Sequence, residues 1–195
     1  MSASQRMMVV LIAGTFAAGC NDDSPTSANA RPGGAAVAAV ALLPIASEPL
    51  TQRHQFTDDV SVQVRLKPSG RSREVVNIAD ASRMAVVRFT IQPGVRFPWH
   101  SHPGLVMVAV TQGDLVFVYG DDCVQRRYPA GTAFVDPGFG NVHYAFNPTG
   151  VPLVIVATFL GVPNAPAALT NPVSATQSAA LDAKCGAVAA SVHGH

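Results

Sequence analysis

The sequence predicts an all-β fold: one small barrel, carried on an N-terminal tether and followed by a C-terminal extension. Three observations point there. Short apolar runs, alternating or continuous, recur from about Val60 to Leu160 with turn residues between them. Fifteen prolines and sixteen glycines in 195 residues favour many turns over long helices. Apolar residues make up 48% and charged residues 13%, which describes a filled core under a thinly charged surface. A chain of this length suits one domain with extensions. The formal charge is +1 and the 13 basic residues are scattered, Arg126-Arg127 being the only adjacent pair. Without a basic stripe, nucleic acid is not an expected partner.

The N-terminus reads as a targeting segment. Arg6 precedes an apolar core, Met7 to Ala18, too short to cross a bilayer as a helix. The core runs into Ala17-Ala18-Gly19-Cys20, which resembles the bacterial lipoprotein signal. That resemblance implies removal of residues 1–19, a lipid on Cys20 and a membrane anchor on the periplasmic or cell-surface side. The alternative is ordinary cleavage after Ala28-Asn29-Ala30, a site about a dozen residues past the apolar core and outside the compact signal layout. Export follows on either reading. Residues 20–45 form the expected tether, polar and Pro/Gly-rich over Asn21 to Gly34. Within it the alanine-rich Ala35 to Leu43 is either a first packing segment or part of a stalk.

Residues 50–162 are the expected barrel. Val60, Val62, Val64 and Leu66 alternate with Ser61, Gln63 and Arg65, the period of a half-buried strand. After the Pro68-Ser69-Gly70 turn, Met84 to Ile91 places Ala85, Val87, Phe89 and Ile91 on one face. Leu105 to Thr111 is apolar throughout and reads as a strand covered on both faces. Gly113-Asp114 turns the chain into Leu115 to Tyr119. Gln125 to Tyr128, Thr132 to Val135, Asn141 to Phe146 and Val151 to Leu160 complete the series. Residues 163–195 are the C-terminal extension, in which Ser174 to Ala190 either forms a helix or wraps the barrel. With Cys20 lipidated, Cys123 and Cys185 remain as an even pair in an oxidising compartment. A bridge between them would close a loop of about sixty residues and stabilise by roughly 4 kcal/mol; two unrelated thiols are the other reading.

The chemistry concentrates in Gly94 to Gly113. On an extended segment His100 and His102 project from one face and can converge on one point. His143 begins a later strand, after Pro137-Gly138-Phe139-Gly140, and a barrel can bring such a strand alongside. Three neutral imidazoles with open positions suit zinc, and also iron, copper, manganese or nickel. The competing readings are surface histidines in a Pro-flanked loop and a core histidine at 143. Around them, Arg96 either meets an anionic ligand or lies on the surface. Phe97 and Trp99 are ligand walls or plain packing, and Asp136 caps its turn or serves as a base, the cap being preferred. No nucleophile elbow, phosphate loop or paired-carboxylate signature is present, so no catalytic residue is assigned.

The stretch resembles the first motif of the cupin superfamily: a glycine, five residues, HxH, three residues, a glutamate, six residues and a glycine. Gly94, His100, His102 and Gly113 fit, with Val106 where the glutamate is expected. Gly131, Pro137, Gly138 or Gly140, His143 and Asn147 resemble the second motif, with one extra residue before the histidine. The resemblance implies a double-stranded β-helix (jelly-roll) barrel over roughly Val60 to Gly161, holding a divalent metal at His100, His102 and His143. Valine cannot ligate, so the expected site has three neutral ligands and leaves the ionic charge uncompensated. An anionic small molecule (a carboxylate, enolate or thiolate) is then the expected ligand. The functions this leaves are a metal-dependent ligand binder, a metal-dependent oxygenase or isomerase, and a metal-free ligand-binding barrel. Barrels of this kind often pair, and the thinly charged surface permits a homodimer.

Overall fold

A computed structural model describes residues 43–187. The targeting segment, Cys20, nearly all of the tether and the terminal His193 and His195 lie outside the described residues. In chain order the strands are β1 (Ile45–Pro49), β2 (His54–Gln55), β3 (Val62–Leu66), β4 (Glu74–Ile78), β5 (Arg83–Ile91), β6 (His100–Ser101) and β7 (Leu105–Gln112). There follow β8 (Asp114–Tyr119), β9 (Gln125–Pro129), β10 (Ala133–Asp136), β11 (His143–Phe146), β12 (Leu153–Leu160), β13 (Asn171–Pro172) and the helix α1 (Ala175–Cys185).

Two antiparallel sheets make the barrel. One has the order β1-β5-β12-β7-β10, with β2 also on β5; the other has the order β13-β6-β11-β8-β9. Period-two patterning decides what faces inward. On β12, Leu153, Ile155, Ala157 and Phe159 are buried while the residues between them are half-buried. They meet Val106, Val108 and Val110 of β7 and Leu115, Phe117 and Tyr119 of β8 in one apolar cluster. The all-β barrel expected from the strand spacing is therefore the fold observed.

Two further layers lie outside the barrel. The β3–β4 hairpin pairs only with itself and packs Val76 and Ile78 over Leu105, Leu160 and Val135. Helix α1 lies over the other sheet, where Leu181 packs with Trp99, Val116, Val118 and Tyr144. Ser174 caps its N-terminus by accepting from the Gln177 N–H, and Gly186 ends it in the left-handed conformation.

These layers correct the expectation for Leu105 to Thr111. The hairpin reaches only Leu105; beyond it Met107 is 41% exposed and Ala109 and Thr111 are exposed. The strand buried on both faces is β8, because α1 covers its outer side. Ile45–Pro49 pairs residue for residue with Ile91–Val87, which adds a strand to the barrel sheet ahead of residue 50. In the C-terminal extension the helix reading holds, and Cys185 at its end is joined to Cys123.

Candidate metal centre

The three histidines come together because two short strands meet. His143, the first residue of β11, is the direct cross-strand partner of His100 on β6. His102 follows two residues after His100, on the same side of the chain. Their ring centroids lie 4.4 Å (His100–His143), 4.8 Å (His100–His102) and 5.2 Å (His102–His143) apart. One nitrogen from each lies within 4.8 Å of the other two.

Each ring is fixed by the same device. The Nδ1–H of His100 donates to the Pro98 carbonyl at 2.7 Å, that of His102 to the Leu169 carbonyl at 2.8 Å, and that of His143 to the Asn141 carbonyl at 3.0 Å. A carbonyl only accepts, so each Nδ1 carries the proton and each Nε2 keeps a lone pair. Burial holds the rings neutral. It pushes His102 down to about 4 and His143 down to about 3, the latter helped by His100, and it lowers His100 as well. Three neutral, oriented imidazoles with free Nε2 lone pairs fit a transition-metal site, outer partners included.

The rings lie at one end of a cavity of about 100 Å³ inside the barrel. Apart from Asp136 and Thr170 its remaining wall is apolar, with Phe89, Phe97, Phe117 and Phe159 prominent. The cavity is small and offers polar contact at the histidine end, the form of a site that orients a compact ligand by one head group.

Asp136 also reaches this end, a position the sequence reading had placed chiefly in a turn. It does cap the turn, its Oδ1 accepting from the Gly138 N–H at 3.1 Å. Among the described residues its Oδ2 is buried without a hydrogen-bond partner, 3.6 Å from His102 Nε2 and 3.6 Å from His143 Nδ1. Burial pushes its carboxyl up to about 6. The signal available in the sequence was parity: Asp136 stands two residues after Phe134 on β10, and both line the cavity.

Other candidates are sorted by the second sheet face. Phe97 lines the cavity, whereas Trp99 is packed under α1 with its indole N–H on Asp182. Arg96 does not line this cavity; it makes two hydrogen bonds to Asp182 at 2.8 and 2.9 Å and secures the helix. Asn147 is fully buried and spans Ile91 and Val151 carbonyls, a structural role. Sequence reasoning missed Leu169, whose carbonyl orients His102 from the C-terminal extension. Backbone groups leave no residue-type signal.

Against known proteins, residues 87–159 match the family described as Cupin domain. No curated protein matches the chain. Among solved structures, the chain is similar to the polyketide cyclase RemF from Streptomyces resistomycificus, at 15% identity and a TM-score of 0.42, over 71% of this chain and 88% of that one. It is similar to the cupin domain of an XRE family transcriptional regulator from Enterobacter cloacae, at 13% identity and 0.40, over 63% and 100%. A protein with a double-stranded β-helix domain from Klebsiella pneumoniae follows at 20% identity and 0.38, over 58% and 77%. The fold described above is a single cupin-type barrel with flanking extensions, and residues 87–159 within it are similar to the cupin domain.

Proposed function

We propose that this protein binds a divalent transition metal through Nε2 of His100, His102 and His143 and receives a compact organic anion in the barrel cavity. The observation that carries the reading is the clustering of the rings: one nitrogen of each lies within 4.8 Å of the other two, and three Nδ1–H groups on three separate carbonyls leave each Nε2 lone pair free. A core histidine needs no such convergence. When bound, the metal would supply Lewis acidity and a ligand position open to the cavity. The aromatic and aliphatic wall would hold the ligand's apolar body, and one anionic head would meet the charge at the histidine end.

Catalysis is the second reading, as an oxygenase or isomerase on the same kind of molecule. It is favoured by the apolar wall, which would keep water from a reactive ligand. Export is part of the proposal: the Cys123–Cys185 disulfide suits an oxidising compartment, and the Ala-Ala-Gly-Cys20 signal suits a lipid anchor.

Elemental analysis tests the metal reading. Wild-type protein offered zinc, iron, copper, manganese and nickel should retain one of them near stoichiometry, and His100→Ala and His143→Ala should each lose it. Wild type that holds no metal sinks the proposal. Oxygen uptake and product analysis across small acids, phenols and thiols then separate the enzyme from the binder.

A further inference from the structure

We infer that the outer face of the β1-β5-β12-β7-β10 sheet pairs with the same face of a second copy of this chain. The inner side of that sheet closes the cavity. Its outer side is an apolar surface that no other element of the described residues covers.

An antiparallel sheet with water on one face alternates apolar residues inward with polar residues outward. Strands β7 and β12 break that rule. Their inward residues fill the barrel core, yet Met107 and Ala109 on β7 and Val154 and Val156 on β12 point the other way. Cross-strand register joins these positions into rows. Glu48, Arg88, Val156, Ala109 and Ala133 stand side by side across all five strands. Val86, Thr158 and Met107 form the row beside them. The β3–β4 hairpin stops at Leu105, Leu160 and Val135, and α1 lies on the other sheet. None of Val86, Met107, Val154 and Val156 joins a packed cluster among the described residues. With strands about 4.8 Å apart and about 3.3 Å per residue along them, the face spans roughly 400–500 Å² in plan. Contiguous apolar patches of that size mark interaction sites.

The charges on this face select its occupant. Its outward strand positions carry one cation and one anion, Arg88 and Glu48, which lie 2.9 Å apart with side chains 45% and 62% exposed. A face without net charge gives no pull on a polyanion, a basic peptide or an anionic membrane. It is complementary to itself. In a two-fold pair the same patch serves both sides, so each copy's Arg88 has a Glu48 of the other copy to meet. Sheets stack face to face about 10 Å apart, and two copies of one sheet carry the same twist. Side chains standing out from the sheet make its accessible area larger than its plan, towards the roughly 800 Å² that each partner of a stable pair buries.

Sedimentation equilibrium of the full-length protein, in density-matched detergent, tests the pairing. Wild type should sediment with a mass near twice the 20.2 kDa of one chain. Ala109→Glu, a change at an exposed position in the middle of the face, should sediment as a single chain with the far-ultraviolet circular dichroism of wild type. Arg88→Glu places like charges together and should weaken the pair by roughly tenfold or more. Adding Glu48→Arg to Arg88→Glu restores one charge of each sign and should restore the pair. A single-chain mass for wild type overturns the proposal and leaves the face to a different protein. Undiminished pairing in Ala109→Glu or in Arg88→Glu overturns it as well, because the copies would then meet elsewhere.

Discussion

His100, His102 and His143 share one arrangement: a buried ring, a proton donated to a backbone carbonyl, and a free Nε2. Burial has a measurable consequence in the metal-free protein. The unfolded chain takes up protons on these rings below about pH 6.5, whereas the folded chain holds His102 near 4 and His143 near 3. Their contribution to stability is complete above the unfolded value and is lost as the pH falls towards the folded ones, on the order of 2 kcal/mol for each ring at about pH 5. Asp136 acts in the opposite sense, because its folded value is raised to about 6 and its protonated form favours folding at low pH. Three rings outweigh one carboxyl. Chelator-treated protein should therefore melt at progressively lower temperature from about pH 7 to about pH 5, and Asp136→Asn should make the decline steeper. A melting temperature that stays level over that range would contradict the burial argument.

A different residue-scale limit is set at Gly138. Its φ is +67°, and a Cβ there would lie 2.0 Å from the Gly104 carbonyl oxygen. The turn that carries Asp136 is pressed against the segment just past His102, and the Phe139 N–H donates to the His102 carbonyl at 2.9 Å. Gly138→Ala cannot be accommodated without moving one of the two. The sequence shows a glycine there, and only the approach of the second backbone shows why.

At the scale of elements, the C-terminal extension is part of the site rather than a trailing segment. Strand β13 pairs with β6, which carries His100, and Leu169 supplies the carbonyl that orients His102. Helix α1 is held by Asp182 on Arg96 and Trp99, by Lys184 on the Gly120 and Asp121 carbonyls, and by the disulfide at Cys185. Replacing both Cys123 and Cys185 by serine should cost about 4 kcal/mol of stability in chemical denaturation, by the loop entropy released to the unfolded chain. Metal affinity should fall as well, by roughly tenfold, as is usual when an outer partner of a ligating histidine is loosened. A double-serine variant that melts lower but binds metal as wild type does would mean the extension keeps Leu169 in place without the covalent tie.

At the scale of the molecule, the cavity lies between two sheets whose inner faces are apolar, and its polar end receives residues from β6, β10 and β11. Ligand selection should follow from that asymmetry. Metal-loaded protein should be stabilised by a small aromatic or branched monocarboxylate, by about 2.7 kcal/mol at a hundredfold excess over its dissociation constant, and much less by the matching amide. Thermal shift measurements on such pairs decide the matter, and equal shifts would remove the anionic head from the proposal.

The sequence by itself determined the strand periods, the turns and the three histidines, because each is written in local alternation or in residue type. It determined the helix only as one of two readings, since Ser174 to Ala190 is rich in alanine and carries little amphipathic pattern. Tertiary structure decided which apolar strand was covered twice, β8 rather than β7, because coverage depends on where the hairpin and helix are laid. It decided that β4 exists, since Glu74–Ile78 is a short run whose pairing with β3 is not encoded in its own spacing. It also placed Asp136 beside the histidines. A residue preceding Pro137 reads locally as a turn cap, and its second oxygen acquires meaning only when β10 is laid against β7 and the Val106 side of the cavity closes around it.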